Sequence, residues 1–230
     1  HDAVIHFAAE SHVDRSINGA TTFAHTNVVG TAAVMQAAHD VGAARIVHVS
    51  TDEIYGSIPL GSWPETDPLL PTSPYSASKA GSDLVAQAFF RSFGLPVVIT
   101  RCSNNYGPHQ FPEKLIPLFV TNLMEGKKVP VYGDGSACRD WLHVTDHCRG
   151  LALALTKGRA GEVYNIGGGT EMSALEMTRR IVAEMGMSED MIEFVADRPG
   201  HDMRYCVDDS KARAELGYRP YMSFDHGLAS

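Results

Sequence analysis

Ile46-Val47-His48-Val49-Ser50, followed at once by Thr51-Asp52-Glu53, is the stretch on which the fold turns. A run this apolar, too short for a helix and ended by polar residues, reads as a strand buried on both faces. The same texture recurs on either side, at Val4-Ile5-His6-Phe7-Ala8-Ala9 and Val97-Val98-Ile99-Thr100. Between these strands lie two long helical patterns. Residues 21–41 place Phe23, Val28, Ala32, Met35 and Ala38 near helical spacing and stop at Gly42. Residues 75–93 do the same with Leu84, Val85, Ala88 and Phe89 before Gly94. Buried strands alternating with helices of ten or more residues predict an α/β fold, a doubly wound parallel sheet of the Rossmann type.

Beyond Arg101 the texture changes. A polar stretch at 104–114 is followed by helical patterns at 115–125, 144–156 and 175–185 and by short strands at 129–132 and 163–166. The expected division is a dinucleotide-binding domain over 1–103 and a smaller α/β substrate-binding domain over 104–230, interleaved with strands that return to the first. The 230 residues, 44% hydrophobic and 20% charged, are enough for one large or two small domains. A net charge of −8 argues against nucleic acid as a partner, since phosphate affinity rests on clustered cations. No apolar run reaches the ~20 residues of a membrane-spanning helix. The four cysteines form no CxxC pair, so reduced thiols and a cytoplasmic location are expected.

In a parallel sheet, ligands bind beyond the carboxyl ends of the strands. Residues 8–14, 50–53 and 101–106 are therefore the site candidates. Tyr75-Ser76-Ala77-Ser78-Lys79 sets a phenol and an ammonium one helical turn apart on the same face. A neighbouring ammonium favours the phenolate, and Lys79 is also able to donate to ribose hydroxyls and hold a nicotinamide nucleotide beside Tyr75. Asp52 and Glu53 follow a buried strand directly. Two carboxyls in one pocket adopt different protonation states, which suits an elimination needing a base at carbon and an acid at the leaving hydroxyl.

The segments 8–14 (Ala-Ala-Glu-Ser-His-Val-Asp), 50–56 (Ser-Thr-Asp-Glu-Ile-Tyr-Gly), 75–79, 101–108 and Arg139-Asp140-Trp141 together resemble the extended short-chain dehydrogenase/reductase superfamily. Within it they are similar to the dTDP-glucose 4,6-dehydratases, the most specific element being Thr51-Asp52-Glu53. The resemblance implies a lyase acting on a nucleotide sugar with NAD as cofactor. Tyr75 would take the 4-hydroxyl proton while hydride leaves C4, Glu53 would remove the C5 proton, and Asp52 would protonate the departing 6-hydroxyl. Hydride would then return to C6, giving a 4-keto-6-deoxy sugar nucleotide for deoxysugar biosynthesis.

The same resemblance implies that Thr51 polarises the C4 oxygen and hydrogen-bonds the sugar. Ala8, Ala9, Glu10, Ser11, Thr26, Tyr75, Lys79 and Asn105 would line the NAD. Asp14, Asn104, Lys114, Leu115, Pro130, Val131, Tyr132 and Arg139 would hold the sugar nucleotide, with Arg139 facing the diphosphate. Asn165, Arg198 and His201 would close the nucleotide site. A homodimer through the helices at 21–41 and 75–93 is also implied.

Competing signals are read as structural. Gly133-Asp134-Gly135 and Gly167-Gly168-Gly169 fit turns better than phosphate loops. His143 and His147 share a helical face, but Val144-Thr145-Asp146 between them lacks the Glu of a zincin, and no metal is expected. The methionines at 172, 177, 185, 187 and 191 are helix packing. The chain opens without Met and without a glycine-rich fingerprint, and both ends read as cuts in a longer protein. On that reading, the 230-residue piece alone is expected to fold poorly and not to hold NAD, because the edge of its first strand would be bare. The alternatives are a sugar-nucleotide epimerase or decarboxylase on the same scaffold, and a non-catalytic sugar-nucleotide-binding or NAD-sensing protein.

Overall fold

A computed structural model describes residues 2–197 and 200–229. β1 (Ala3–His6) leads through α1 (Val13–Asn18), α2 (Ala20–Phe23), a π-turn at Ala24–Val29 and α3 (Gly30–Asp40) to β2 (Arg45–Thr51). A 3-10 turn, Asp52–Tyr55, and a long loop then reach α4 (Pro74–Phe93) and β3 (Val97–Cys102). The predicted helix at 21–41 is thus present with one wide turn inside it, and the predicted strand at 4–9 ends earlier, at His6.

Three of these strands and a later one form a parallel sheet in the order β1-β2-β3-β7. β2 is buried along its length from Ile46 to Thr51, as its apolar run requires. Its register with β3 runs from Ile46 opposite Val97 to Thr51 opposite Cys102, so both strands end level. Asp52 and Ser103 therefore emerge side by side at the carboxyl edge. α4 begins with a capping box: Ser73 Oγ accepts from Ser76 N–H and Ser76 Oγ accepts from Ser73 N–H, each at 3.0 Å. Gly94 ends the helix in the left-handed conformation, at φ 69°.

The remainder runs β4 (Asn104–Tyr106), α5 (Leu115–Met124), β5 (Val129–Tyr132), β6 (Cys138–His143), α6 (Val144–Lys157) and β7 (Val163–Ile166). It closes with β8 (Glu171–Ser173), α7 (Ala174–Glu184), β9 (Ile192–Val195) and α8 (Phe224–Leu228). β7 returns to pair with β3, while β4-β6-β8 and β5-β9 form two small separate sheets. β4, β6, β8 and β9 were not legible as strands. Asn104-Asn105 and Arg139-Asp140 give no apolar run, because polar residues occupy these strand positions beside the site.

Among the described residues four apolar clusters form, and two of them are the largest. One gathers Val47, Val98, Leu151, Tyr164 and Leu216 beneath the four-stranded sheet. The other gathers Phe119, Leu123, Trp141, Met172, Met177 and Ile181, with Met185, Met187 and Met191 packed against it. The methionines are packing residues, as expected. Gly168 is fixed by contact: a Cβ there would collide with the Trp141 carbonyl oxygen. Gly133 and Gly135 lie in a tight turn at φ 58° and 75°. Among the described residues no helix is long and apolar enough to cross a membrane.

Candidate active site

Thr51 is the junction of the site. It closes β2, and its hydroxyl caps the following 3-10 turn, accepting from Glu53 N–H at 3.3 Å and donating to Asp52 Oδ1 at 3.3 Å. The same hydroxyl acts on the Tyr75 phenol at the start of α4, favouring its ionised form. One side chain thus ties together the phenol and both carboxyl-bearing residues. The two carboxyls have different surroundings. Asp52 is 2% exposed and its Oδ2 has no hydrogen-bond partner. Glu53 is half-buried and lines a cavity of about 270 Å³. Burial first, then the charge of Glu53, raise the Asp52 pKa well above the usual carboxylate range.

Tyr75 differs from expectation. Burial, and next the negative charge of Glu53, raise its phenol well above its ordinary pKa; the Thr51 hydroxyl opposes them. The expected lowering by Lys79 is absent here. The ammonium lies on the same helical face but turns to the strand, donating to Val49 O at 2.8 Å, and burial lowers its own pKa. Cys102 closes the floor between them, a thiol pushed up to about 12, chiefly by burial. That leaves it neutral, consistent with the absence of a thiolate role.

The cavity is lined by Ser11, Asp14, Asn104, Lys114, Leu115, Pro130, Val131, Tyr132, Arg139 and His201 among the residues singled out from sequence. They arrive from six segments of chain. Lys114 donates to Ser11 O at 2.8 Å, fastening the two walls together. Tyr132 donates to Asp14 Oδ2 at 3.4 Å, and its ring meets His201 edge-on. Arg139 stacks on Tyr205 at 4.4 Å and donates to Cys138 O and Asp202 O. It makes no ion pair with Asp140, its neighbour in the chain.

Two predicted substrate residues stand apart from this cavity. Thr51 is buried behind it, touching Tyr75 rather than the open space. Asn165 is fully buried and accepts from the Tyr55 hydroxyl at 2.9 Å, while its amide donates to Trp63 O and Asp208 O. It braces a core network with Arg101 and Asp83 and does not line this cavity. Arg198 lies outside the described residues.

Of the predicted cofactor residues, Ala9, Glu10, Thr26 and Asn105 are half-buried, whereas Ala8 and Ser11 are exposed. Sequence reasoning missed the residue that arranges several of them. Asn27, 1% exposed, accepts from Glu10 N–H at 2.8 Å and donates to Glu10 O and Ser78 Oγ. It clamps the turn after β1 to the catalytic helix, and the π-turn places it inward. A polar residue within an apolar helical pattern was the available signal. Also missed were Phe119, Trp141, Ala174 and Thr178 on the cavity wall. They looked like ordinary packing positions.

The donor set suits the nicotinamide–ribose half of NAD. Lys79 has two N–H donors beyond the one given to Val49, and Asn105 Oδ1 is buried with no partner. Asn105 donates to Cys102 Sγ at 3.4 Å, which sets it at the same floor. His143 serves as the N-cap of α6, accepting from Thr145 N–H. Among the described residues no three His, Cys, Asp or Glu side chains gather as a metal site.

Comparison with known proteins agrees with this geometry. The family model described as GDP-mannose 4,6 dehydratase matches residues 1–230. The dTDP-glucose 4,6-dehydratase of an Actinoplanes species is 60% identical over 100% of this chain and 72% of its own length. The crystal structure of the dTDP-glucose 4,6-dehydratase of Streptomyces venezuelae, solved with NAD bound, superposes with a TM-score of 0.98 at 60% identity. That match covers 99% of this chain and 71% of the other. The UDP-glucuronic acid 4-epimerase of Bacillus cereus shares the fold at TM-score 0.94 and 30% identity, over 99% of this chain and 73% of its own. The chain therefore belongs to the GDP-mannose 4,6 dehydratase family within the extended short-chain dehydrogenase/reductase superfamily.

Proposed function

We propose that this chain carries out the NAD-dependent dehydration of dTDP-glucose to dTDP-4-keto-6-deoxyglucose, a hydro-lyase reaction of deoxysugar biosynthesis. The observation that carries the reading is the Thr51 hydroxyl, which joins Tyr75, Asp52 and Glu53 at the end of one cavity. An epimerase has use for the phenol but none for a buried acid beside an open carboxylate. The relatives named dTDP-glucose 4,6-dehydratase support the choice of substrate.

NAD, which Lys79 and Asn105 would hold by its ribose–nicotinamide half, would supply the hydride acceptor at C4 and the hydride donor at C6, and the proton held by Glu53 would then return to C5. Tyr75, once ionised, accepts the proton of the 4-hydroxyl; the cationic nicotinamide of bound NAD would supply the positive charge that favours the phenolate, and Thr51 stands beside the phenol. Glu53, facing the cavity, removes the C5 proton made acidic by the 4-ketone. Asp52, buried and protonated, delivers its proton to the 6-hydroxyl, which leaves as water. Arg139 and Lys114 supply positive charge for the diphosphate, Arg139 in the planar form suited to two oxygens.

Residues 1–103 serve the cofactor and 104–230 mainly the sugar nucleotide, with β7 returned to the first part. Val29, Leu84 and Phe93 are exposed apolar side chains on the two long helical segments, and they support a homodimer packed through those helices. Four free cysteines fit a cytoplasmic enzyme. The test is turnover of dTDP-glucose, read as the alkaline absorbance of the 4-keto product. Glu53→Gln should bind the sugar nucleotide as the parent does yet stop elimination. Turnover at the parental rate would remove Glu53 as the base, and an isomeric product without water loss would make the chain an epimerase.

A further inference from the structure

We propose that Asp140 is a positioning residue for the elimination step: its fixed negative charge holds the proton on Asp52. The inference rests on the reading of Asp52 as the acid for the departing hydroxyl. Asp140 is 3% exposed and accepts three hydrogen bonds. Oδ2 takes the Ser103 hydroxyl and Gly168 N–H, each at 2.7 Å, and Oδ1 takes Thr170 N–H at 2.8 Å. Each of the three partners is a donor, so both carboxyl oxygens act as acceptors. The backbone donors cannot swing away, because Gly168 is wedged under the Trp141 carbonyl.

The anion stands close to the acid through a short path. Thr51 and Cys102 are register partners, so Asp52 and Ser103 are the next residues on adjacent strands. The Ser103 hydroxyl then points to Asp140. Asp52 itself has only the Thr51 hydroxyl on Oδ1 and nothing on Oδ2, a poor setting for a carboxylate and a good one for a neutral acid.

The charges around Asp52 decide the outcome. Glu53 on its own turn and Asp140 on β6 favour the proton, and Arg139 on β6 opposes them. Tyr75 on α4 and Cys102 on β3, both neutral, complete the surroundings. Near Asp140, the Arg213 guanidinium feels the Asp140 charge but donates both its hydrogen bonds to Asp209, at 2.7 and 2.9 Å. A substrate diphosphate at Arg139 would neutralise the one opposing charge. Asp140 therefore weighs most when substrate is bound, and the acid is armed at the moment it is needed.

The experiment is the pH dependence of elimination in the NAD-loaded enzyme with saturating dTDP-glucose, comparing the parent with Asp140→Asn. The expected result is an alkaline limb lower by about one pH unit, with C4 oxidation, read as nicotinamide absorbance, unmoved. A lower plateau with the limb in place would reduce Asp140 to a brace for the 167–170 turn and overturn the proposal. Should Asp140→Asn fail to fold, Ser103→Ala carries the test. It keeps the charge and strips a donor that partly offsets it, so the limb should rise. An unmoved limb would again refute the idea. Asp52→Asn separates the two readings: if the parental alkaline limb survives in it, Asp52 is not the acid and the underlying assignment has failed.

Discussion

Thr51→Val tests whether one hydroxyl organises the site. Valine keeps the β-branched shape that suits the end of β2 and fills the same buried space, so the sheet register should hold. What disappears is the hydroxyl that accepts from Glu53 N–H, donates to Asp52 Oδ1 and touches the Tyr75 phenol. Loss of the cap on the Asp52–Tyr55 turn should cost about 1 kcal/mol, a fall of roughly 2–4 °C in Tm for a chain of this size. The effect on rate should be larger. A preorganised donor next to the developing oxygen charge is worth about 10²–10³ in kcat, or roughly 3–4 kcal/mol. KM should stay within about threefold, because Thr51 does not line the cavity where the nucleotide is held. The assay is steady-state turnover by 4-keto product, alongside a thermal melt. A kcat within about threefold of the parent, or a tenfold rise in KM at constant kcat, would refute the argument.

Other expectations follow from single contacts. Arg139→Met should raise KM for the nucleotide sugar by about tenfold or more, the loss of a charge-assisted contact, with a smaller effect on kcat; equal affinities by calorimetry would remove Arg139 from the diphosphate site. Asn27→Ala strips three hydrogen bonds from a buried clamp and should cost about 2–4 kcal/mol, seen as a lower urea midpoint at unchanged slope. An unshifted midpoint would contradict it. Burial lowers His147 to about 4, so the unfolded chain binds the extra proton between pH 4 and 6.5. Stability should therefore be whole above pH 6.5 and decline as pH falls through that window, by up to about 1.4 kcal/mol per pH unit for this residue. Urea unfolding at several pH values should show a shallower slope for His147→Gln, and an identical slope would place the titration elsewhere.

The legibility of the fold followed from where each strand sits. β2 and β3 are covered on both faces, so their sequences are continuous apolar runs and were readable as strands. β4 and β6 lie at the junction between the sheet and the cavity. There Asn104, Asn105, Arg139 and Asp140 replace apolar residues, and the strand signal is lost for the same reason that the site exists. The helix boundaries at Gly42 and Gly94 were visible because each takes a left-handed conformation, at φ 64° and 69°, that other residues resist. The wide turn at Ala24–Val29 was not visible, since a π-turn has no composition of its own.

The site divides in the same way. Tyr75, Lys79, Asp52 and Glu53 were identifiable because their chemistry requires those residue types at a strand end and on one helical face. Asn165 does not line the cavity. Its position on a strand beside the expected site did not reveal that its amide would be consumed by Tyr55, Trp63 and Asp208 in the core.

Alternation of apolar runs and helical spacing was enough to fix a parallel sheet with ligands at its carboxyl edge, since hydrophobic burial along a chain depends only on local order. The proton states were decided elsewhere. Whether Lys79 serves Tyr75 or the Val49 carbonyl, and whether Asp52 keeps its proton, depends on desolvation and on groups such as Val49, Arg139 and Asp140 that are distant in the chain, and those fields exist only once the chain has folded.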